Sequence, residues 1–156
     1  MKLEQTADGS YTLYVPELDE HYHSVKGALT ESQHIFIEMG LKHSPVSEPH
    51  ILEIGLGTGL NAFLTLLSAE ETRRKVHYTG IERYPLAEET LKQLDYPRLI
   101  GKQHEEDYYA IHQAPWDTET EVSPWFTLHK IEDDFTRLFN PVDSSVIIML
   151  SNGIIL

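Results

Sequence analysis

Cysteine is absent from this chain, which excludes disulfides and thiolate metal sites and leaves a cytoplasmic address as the default expectation. Long apolar runs are absent too: no stretch of eighteen apolar residues occurs, so no membrane-spanning helix and no membrane partner is expected. The first ten residues are polar and lack the apolar core of a secretory leader. No internal repeat or low-complexity tract is present. Positive charge is scarce, with 12 lysines and arginines against 25 acids and a net charge of −13. Nucleic-acid affinity rests on neutralising phosphates with Lys and Arg, so the charge argues against a large preformed phosphate-binding surface. The acidic clusters Glu105-Glu106-Asp107 and Glu132-Asp133-Asp134 read first as solvated faces. What is present, 40% hydrophobic and 24% charged residues in a chain of 156, suits one globular domain with a real core.

The chain is organised around Ile51-Leu52-Glu53-Ile54-Gly55-Leu56-Gly57-Thr58-Gly59-Leu60-Asn61. Pro49 to Ile54 is a short apolar run bounded by proline and glycine, the pattern of a buried parallel strand. Gly55, Gly57 and Gly59 permit a tight turn and a close backbone approach to a ligand. From Leu60, Phe63, Leu64, Leu66 and Leu67 recur at helical spacing up to about Ala69, so strand, glycine loop and helix follow in order. A helix that starts at such a loop offers free N–H groups to an anionic or polar ligand end. A dinucleotide fingerprint would place glycine three positions after Gly57, where Leu60 stands. The run Lys75 to Glu82 then reads as a second strand closing on an acid, suited to ribose hydroxyls in nucleotide-binding α/β folds.

The remaining segments read as follows. Lys2 to Glu17 is a β-hairpin turning at Ala7-Asp8-Gly9-Ser10. In Leu18 to Leu41 a polar, aromatic loop precedes a helix of about ten residues, with Thr30 and Gln33 as a capping box, Ile35, Phe36 and Met39 as its apolar side, and Gly40 as its C′ residue. His21 and His23, two apart on a loop with no third strong ligand fixed in space, do not define a metal site, and no metal is assigned. Pro85 suits a first helical turn, and Leu86 to Leu94 continues as a helix. Asp95 to Val122 is a long irregular connection with a short helix around Asp107 to His112. Trp125 to Ile131 alternates as a strand ending at Asp133-Asp134, and Val142 to Leu150 supplies a further apolar strand. As an alternative to a ligand role, either Asp133 or Asp134 serves as the N-cap of a turn over Phe135 to Phe139.

The pattern Glu53-x-Gly55-x-Gly57-x-Gly59 resembles the first motif of S-adenosylmethionine-dependent methyltransferases. Together with Asp19-Glu20-His21-Tyr22-His23-Ser24, Gly27-Ala28, Glu31-Ser32, Phe36-Ile37 and Gly40-Leu41, it is similar to the tRNA 5-methylaminomethyl-2-thiouridine methyltransferases, both the stand-alone MnmD type and the N-terminal domain of bifunctional MnmC, over roughly residues 10 to 143. The resemblance implies a Rossmann-like α/β methyltransferase fold with an N-terminal β-hairpin and helix, truncated after about the fourth strand. It is one domain over 1–156: a hairpin and lid segment 1–48, a cofactor-binding core 49–150 and an aberrant tail 151–156.

The resemblance further implies methyl transfer from S-adenosylmethionine to the aminomethyl nitrogen of a tRNA wobble uridine, with tRNA as partner and an FAD-dependent oxidoreductase in the same pathway. Glu53, Gly55, Gly57 and Gly59 would hold the methionine end and the sulfonium region, Glu82 the ribose, and Asp134, or Asp133 one residue away, the adenine, with Thr58, Asn61 and Arg83 also among the cofactor-binding residues. Tyr22, Ser24, Glu31 and Ser32 would lie near the substrate pocket. The family carries Asp-Ala-Phe or Asp-Gly-Phe after the fourth strand, and its acid can orient the amine and accept its proton. Here Leu150-Ser151-Asn152-Gly153 stands in that place, so no catalytic residue is assigned. Two rival readings follow: a non-catalytic cofactor-binding chain or partner subunit, and a small-molecule N-methyltransferase, which the negative charge favours and the Asp19 to Ser32 loop disfavours.

Overall fold

The computed structural model describes residues 1–23, 26–138 and 146–150. Strands β1 (Lys2–Gln5), β2 (Tyr11–Val15) and β3 (Glu20–His21) form a small antiparallel sheet in that order. The hairpin expected from the sequence is there, and β3 extends it. Its turn is built on Asp8, whose Oδ1 accepts from the Ser10 amide at 3.0 Å and the Thr6 hydroxyl at 2.8 Å.

The same carboxylate reaches across to α1 (Ala28–Ser32), where Oδ2 accepts from both the Thr30 amide and the Thr30 hydroxyl at 2.8 Å. The capping box is therefore corrected. The helix starts after Gly27, Thr30 is held by Asp8, and Gln33 donates to Glu38 at 3.2 Å. A residue 22 positions away supplies the oxygen that a local cap would have given.

Gln33–Leu41 continues as a wide π-type helix. The Lys42 amide closes it by bonding to the Ile37 carbonyl, five residues back. The wider turn changes which residues share a face: Phe36, Ile37 and Leu41 are buried, whereas Met39 is 55% exposed and Gly40 lies inside the helix and not beyond it. Arg74 closes this end, donating to the carbonyls of Leu41, Ser44 and Val46.

The main sheet comprises β4 (His50–Ile54), β5 (Val76–Glu82), β6 (Glu119–Ser123), β7 (Phe126–Glu132) and β8 (Val146–Leu150), in the order β6-β7-β5-β4-β8. All neighbours are parallel except β6, which runs antiparallel along β7. Expected strands at all four parallel positions are present. α2 (Leu60–Thr72) and α3 (Glu88–Leu94) follow the glycine loop and β5, and Pro85 precedes α3 without entering it. The antiparallel edge strand and the helices α4 (Pro97–Ile100) and α5 (Glu105–Gln113) stand where the sequence suggested mostly irregular chain. A single turn, α6 (Phe135–Leu138), follows β7.

The core lies between α2 with α5 and one face of the sheet. Ile51, Val76, Tyr78, Phe126 and Leu128 meet Phe63, Leu66, Tyr108 and Ile111, all 1% exposed or less. Each such side chain contributes about 1.5–3 kcal/mol on removal from water.

Candidate functional site

The strand order positions the site. From β4 the chain winds through β5 to β7 on one side, whereas β8 lies on the other, so β4 and β8 flank a topological switch point. In open α/β sheets, ligands collect outside the carboxyl ends of the strands at such a point. The glycine loop leaves β4 there, and the amides of Gly55 and Leu56 both bond to the Ile81 carbonyl, at 2.8 and 3.1 Å.

Two of the glycines are required by close neighbours from different parts of the fold. A Cβ on Gly57 (φ +53°) would stand 3.0 Å from the Tyr22 ring, which comes from the segment after β3. A Cβ on Gly59 (φ +73°), the residue capping α2, would stand 2.7 Å from the His112 ring on the last turn of α5. Both are left-handed conformations that favour glycine. His23, next to Tyr22, places its Nε2 3.0 Å from the Thr58 hydroxyl, while its backbone is bonded at both N–H and C=O to the Thr12 hydroxyl. The segment after β3 and the last turn of α5 thus both pack against the loop.

At the end of β5, Glu82 accepts from the Gly57 amide at 2.8 Å through one oxygen and from the Tyr84 amide at 2.9 Å through the other. At the end of β7, Asp133 and Asp134 face the same opening. Asp134 accepts from the Thr136 amide and hydroxyl at 3.0 and 2.8 Å and pairs with Arg83 at 3.3 Å. Its bonds to Thr136 hold its carboxyl below the usual range. Ile54, Gly55, Ile81, Glu82, Arg83, Asp133, Asp134 and Phe135 enclose a cavity of about 290 Å³. A larger groove of about 960 Å³ lies elsewhere, between α1, the π-helix and α2, and includes none of these residues.

Beneath the loop, Glu53 is 1% exposed and receives the Tyr78 hydroxyl at 2.6 Å and the Asn61 amide at 2.8 Å. Burial pushes its carboxyl up to about 7, against the pull of those two hydrogen bonds. Asn61 Oδ1 is buried with no hydrogen-bond partner. His23 and His112 are both held down at about 4, chiefly by burial, so both are neutral at physiological pH. Lys130 is buried on β7, donates to the His112 carbonyl at 2.8 Å and lies 4.7 Å from the Trp116 ring centre. Burial lowers its ammonium to about 8.

The structure thus brings Gly55, Gly57, Thr58, Gly59, Glu82, Arg83, Asp133, Asp134 and Tyr22 to one corner. Glu53 and Asn61 stand behind the loop as its internal hydrogen-bonded support. Glu31 and Ser32 ride on α1, and neither lines the cavity. Ser24 lies outside the described residues, as does the 151–156 tail. His21 bonds to Glu4 at 2.8 Å, on the N-terminal sheet. Among the described residues no group of three side chains is placed to hold a metal ion, and no helix is long and apolar enough to cross a membrane. Sequence reasoning missed His112, Lys130 and Phe135. Only the alternation of Lys130 with Phe126 and Leu128 on one strand face signalled an inward cation.

No family model matches the chain. It is 34% identical over 94 residues to the tRNA 5-methylaminomethyl-2-thiouridine biosynthesis bifunctional protein MnmC of Magnetococcus marinus, covering 55% of this chain and 14% of that protein. The MnmC of Cupriavidus metallidurans is 34% identical over 89 residues, covering 53% and 13%. The chain therefore spans about one seventh of the length of the curated relatives it matches. Among solved structures it is similar to MnmC2 from Aquifex aeolicus, with a TM-score of 0.69 and 24% identity, over 92% of this chain and 45% of that one. That likeness is one of fold. The resemblance to MnmC-type proteins read from the residues is present in both comparisons.

Proposed function

We propose that this chain binds S-adenosylmethionine at the β4, β5 and β7 strand ends and is a tRNA-modifying methyltransferase of the MnmC/MnmD kind, acting on the aminomethyl nitrogen of a wobble 5-aminomethyl-2-thiouridine. The observation that carries this reading is the meeting of Glu82 with the glycine loop. A carboxylate has about four lone-pair sites, and the Gly57 and Tyr84 amides take two, which leaves acceptors for both hydroxyls of a ribose. Asp134, or Asp133 beside it, would accept from an adenine amino group, and the α2 N-terminus, where Gly59 brings no side-chain cap, would face the methionine carboxylate. When bound, the cofactor supplies a methyl group on a sulfonium centre.

The protein's own contribution is positioning. Tyr22 packs against the glycine loop at Gly57 and His112 at Gly59, and Glu53 and Asn61, bonded to each other, support it from behind. The relatives' names describe a bifunctional protein of tRNA modification, which supports tRNA as partner; an FAD-dependent oxidoreductase acting in the same pathway is what the family resemblance implies. A role on tRNA would put the chain in the cytoplasm with its substrate.

One sequence feature favours a second reading, a cofactor-binding chain without catalysis: Leu150-Ser151-Asn152-Gly153 stands where the family has its acid. Calorimetric titration with S-adenosylmethionine, followed by transfer of labelled methyl to tRNA bearing 5-aminomethyl-2-thiouridine, separates the two. Binding with transfer establishes the first reading, and binding without transfer the second. Glu82→Ala should abolish binding, and unchanged affinity would remove Glu82 from the ribose site.

A further inference from the structure

Few large apolar side chains are exposed among the described residues, and two of them stand at the site. Phe135, 40% exposed, lines the strand-end cavity, and Tyr84, 68% exposed, follows two of its wall residues, Glu82 and Arg83. An exposed tyrosine ring on a surface loop is ordinary. This one is anchored. Its amide is held by Glu82 at 2.9 Å, and the Arg83 guanidinium, itself 3.3 Å from Asp134, lies 5.1 Å from its ring centre. Arg83 thus occupies one side of the ring, and the remaining exposure leaves room for a second planar group.

The charge of the molecule adds a separate constraint. With a net charge of −13, the chain has little means of attracting an RNA backbone. Affinity for an RNA substrate must then come from the bases, and stacking on an aromatic ring is the contact every base can make. A cation over an aromatic face strengthens such a platform, since the ring quadrupole and the guanidinium attract each other.

We infer that Tyr84, braced by Arg83 next to the strand-end cavity, is a nucleobase-stacking subsite that takes an unpaired base of the RNA substrate. The inference rests on the RNA-substrate reading proposed above. It makes recognition depend on the base and only weakly on phosphates, so binding should vary little with salt: about one or two neutralised phosphates, a log–log slope near −1 for single-stranded RNA.

The test compares the wild-type chain with Tyr84→Phe, Tyr84→Leu and Tyr84→Ala, titrating an anticodon stem-loop RNA that carries 5-aminomethyl-2-thiouridine and, separately, S-adenosylmethionine. The subsite predicts that Phe retains RNA affinity within about twofold. Leu and Ala should lose about 5- to 150-fold, the range for one stacked base, with cofactor affinity unchanged in all three. RNA affinity unaffected by Ala overturns the subsite and leaves the methyltransferase reading standing. Loss of cofactor affinity in Tyr84→Ala with RNA binding intact assigns the ring to the cofactor and likewise overturns it. Wild-type chain that binds the cofactor but no RNA overturns the RNA-substrate reading, and the subsite falls with it. A steep salt slope with no effect of the Leu variant would assign recognition to the backbone phosphates instead.

Discussion

Substituting Gly59 by alanine tests the packing of His112 against the glycine loop without reference to any ligand. The new Cβ would sit 2.7 Å from His112 Cε1 and 3.0 Å from its Nε2, and the backbone φ of +73° disfavours any side chain. Overpacking of this kind costs about 1–3 kcal/mol, and a left-handed alanine about 1–2 kcal/mol more. In a His112→Ala background the first cost disappears and the second stays. The four proteins of the cycle, unfolded in urea and followed by circular dichroism, should therefore show Gly59→Ala costing about 2–5 kcal/mol alone and about 1–2 kcal/mol beside His112→Ala, a coupling of about 1–3 kcal/mol. In thermal melts each kcal/mol is about 2–4 °C for a chain of this size. Equal costs of Gly59→Ala in the two backgrounds would show that His112 does not support the loop, and the steric requirement for glycine at this position would fail.

Other consequences are open to equally direct measurement. The raised Glu53 carboxyl means that the folded protein holds a proton the unfolded chain has lost, so its own contribution to stability should fall as pH rises from about 4.5 to about 7, set against the rise that the lowered His23 and His112 contribute from about 4 to about 6.5. Glu53→Gln should remove that opposing contribution and make a urea-midpoint profile climb more steeply with pH over this range, and an unchanged slope would show that Glu53 does not titrate in it. Lys130 gives the opposite sign at alkaline pH: its lowered ammonium means the unfolded chain binds more protons, so stability should rise from about pH 8 to about 10.5, a rise that Lys130→Met should remove. Asp8→Ala cuts the tie between hairpin and α1 and should cost about 1–2 kcal/mol, read as a melting shift of about 2–8 °C, with cofactor affinity unchanged.

Much of the parallel sheet was legible because its strands are short apolar runs closed by glycine or acid, and such runs report burial on both faces. Ile51 to Leu60 announced strand, loop and helix in direct succession, and Glu82 announced itself as the acid ending the next strand. The π-helix was not legible, since a search at 3.6 residues per turn assigns Met39 to the apolar side and Gly40 to the end. Widening the turn buries Leu41 in their place. β6 was missed because an edge strand needs no apolar face, and Glu119 and Glu121 read as loop. The site's supports were hidden for another reason. Asp8 caps a helix 22 residues on, and His112 dictates a glycine far earlier in the chain, and no local pattern encodes a contact across such separations.

The loop gripped by Tyr22 and His112 has a kinetic consequence. A segment already ordered in the free protein has no slow rearrangement to complete after a ligand arrives. Association at this corner should then be a single exponential whose rate climbs linearly with ligand concentration and shows no plateau, whereas a hinged or melted loop would cap that rate at its own speed of closing.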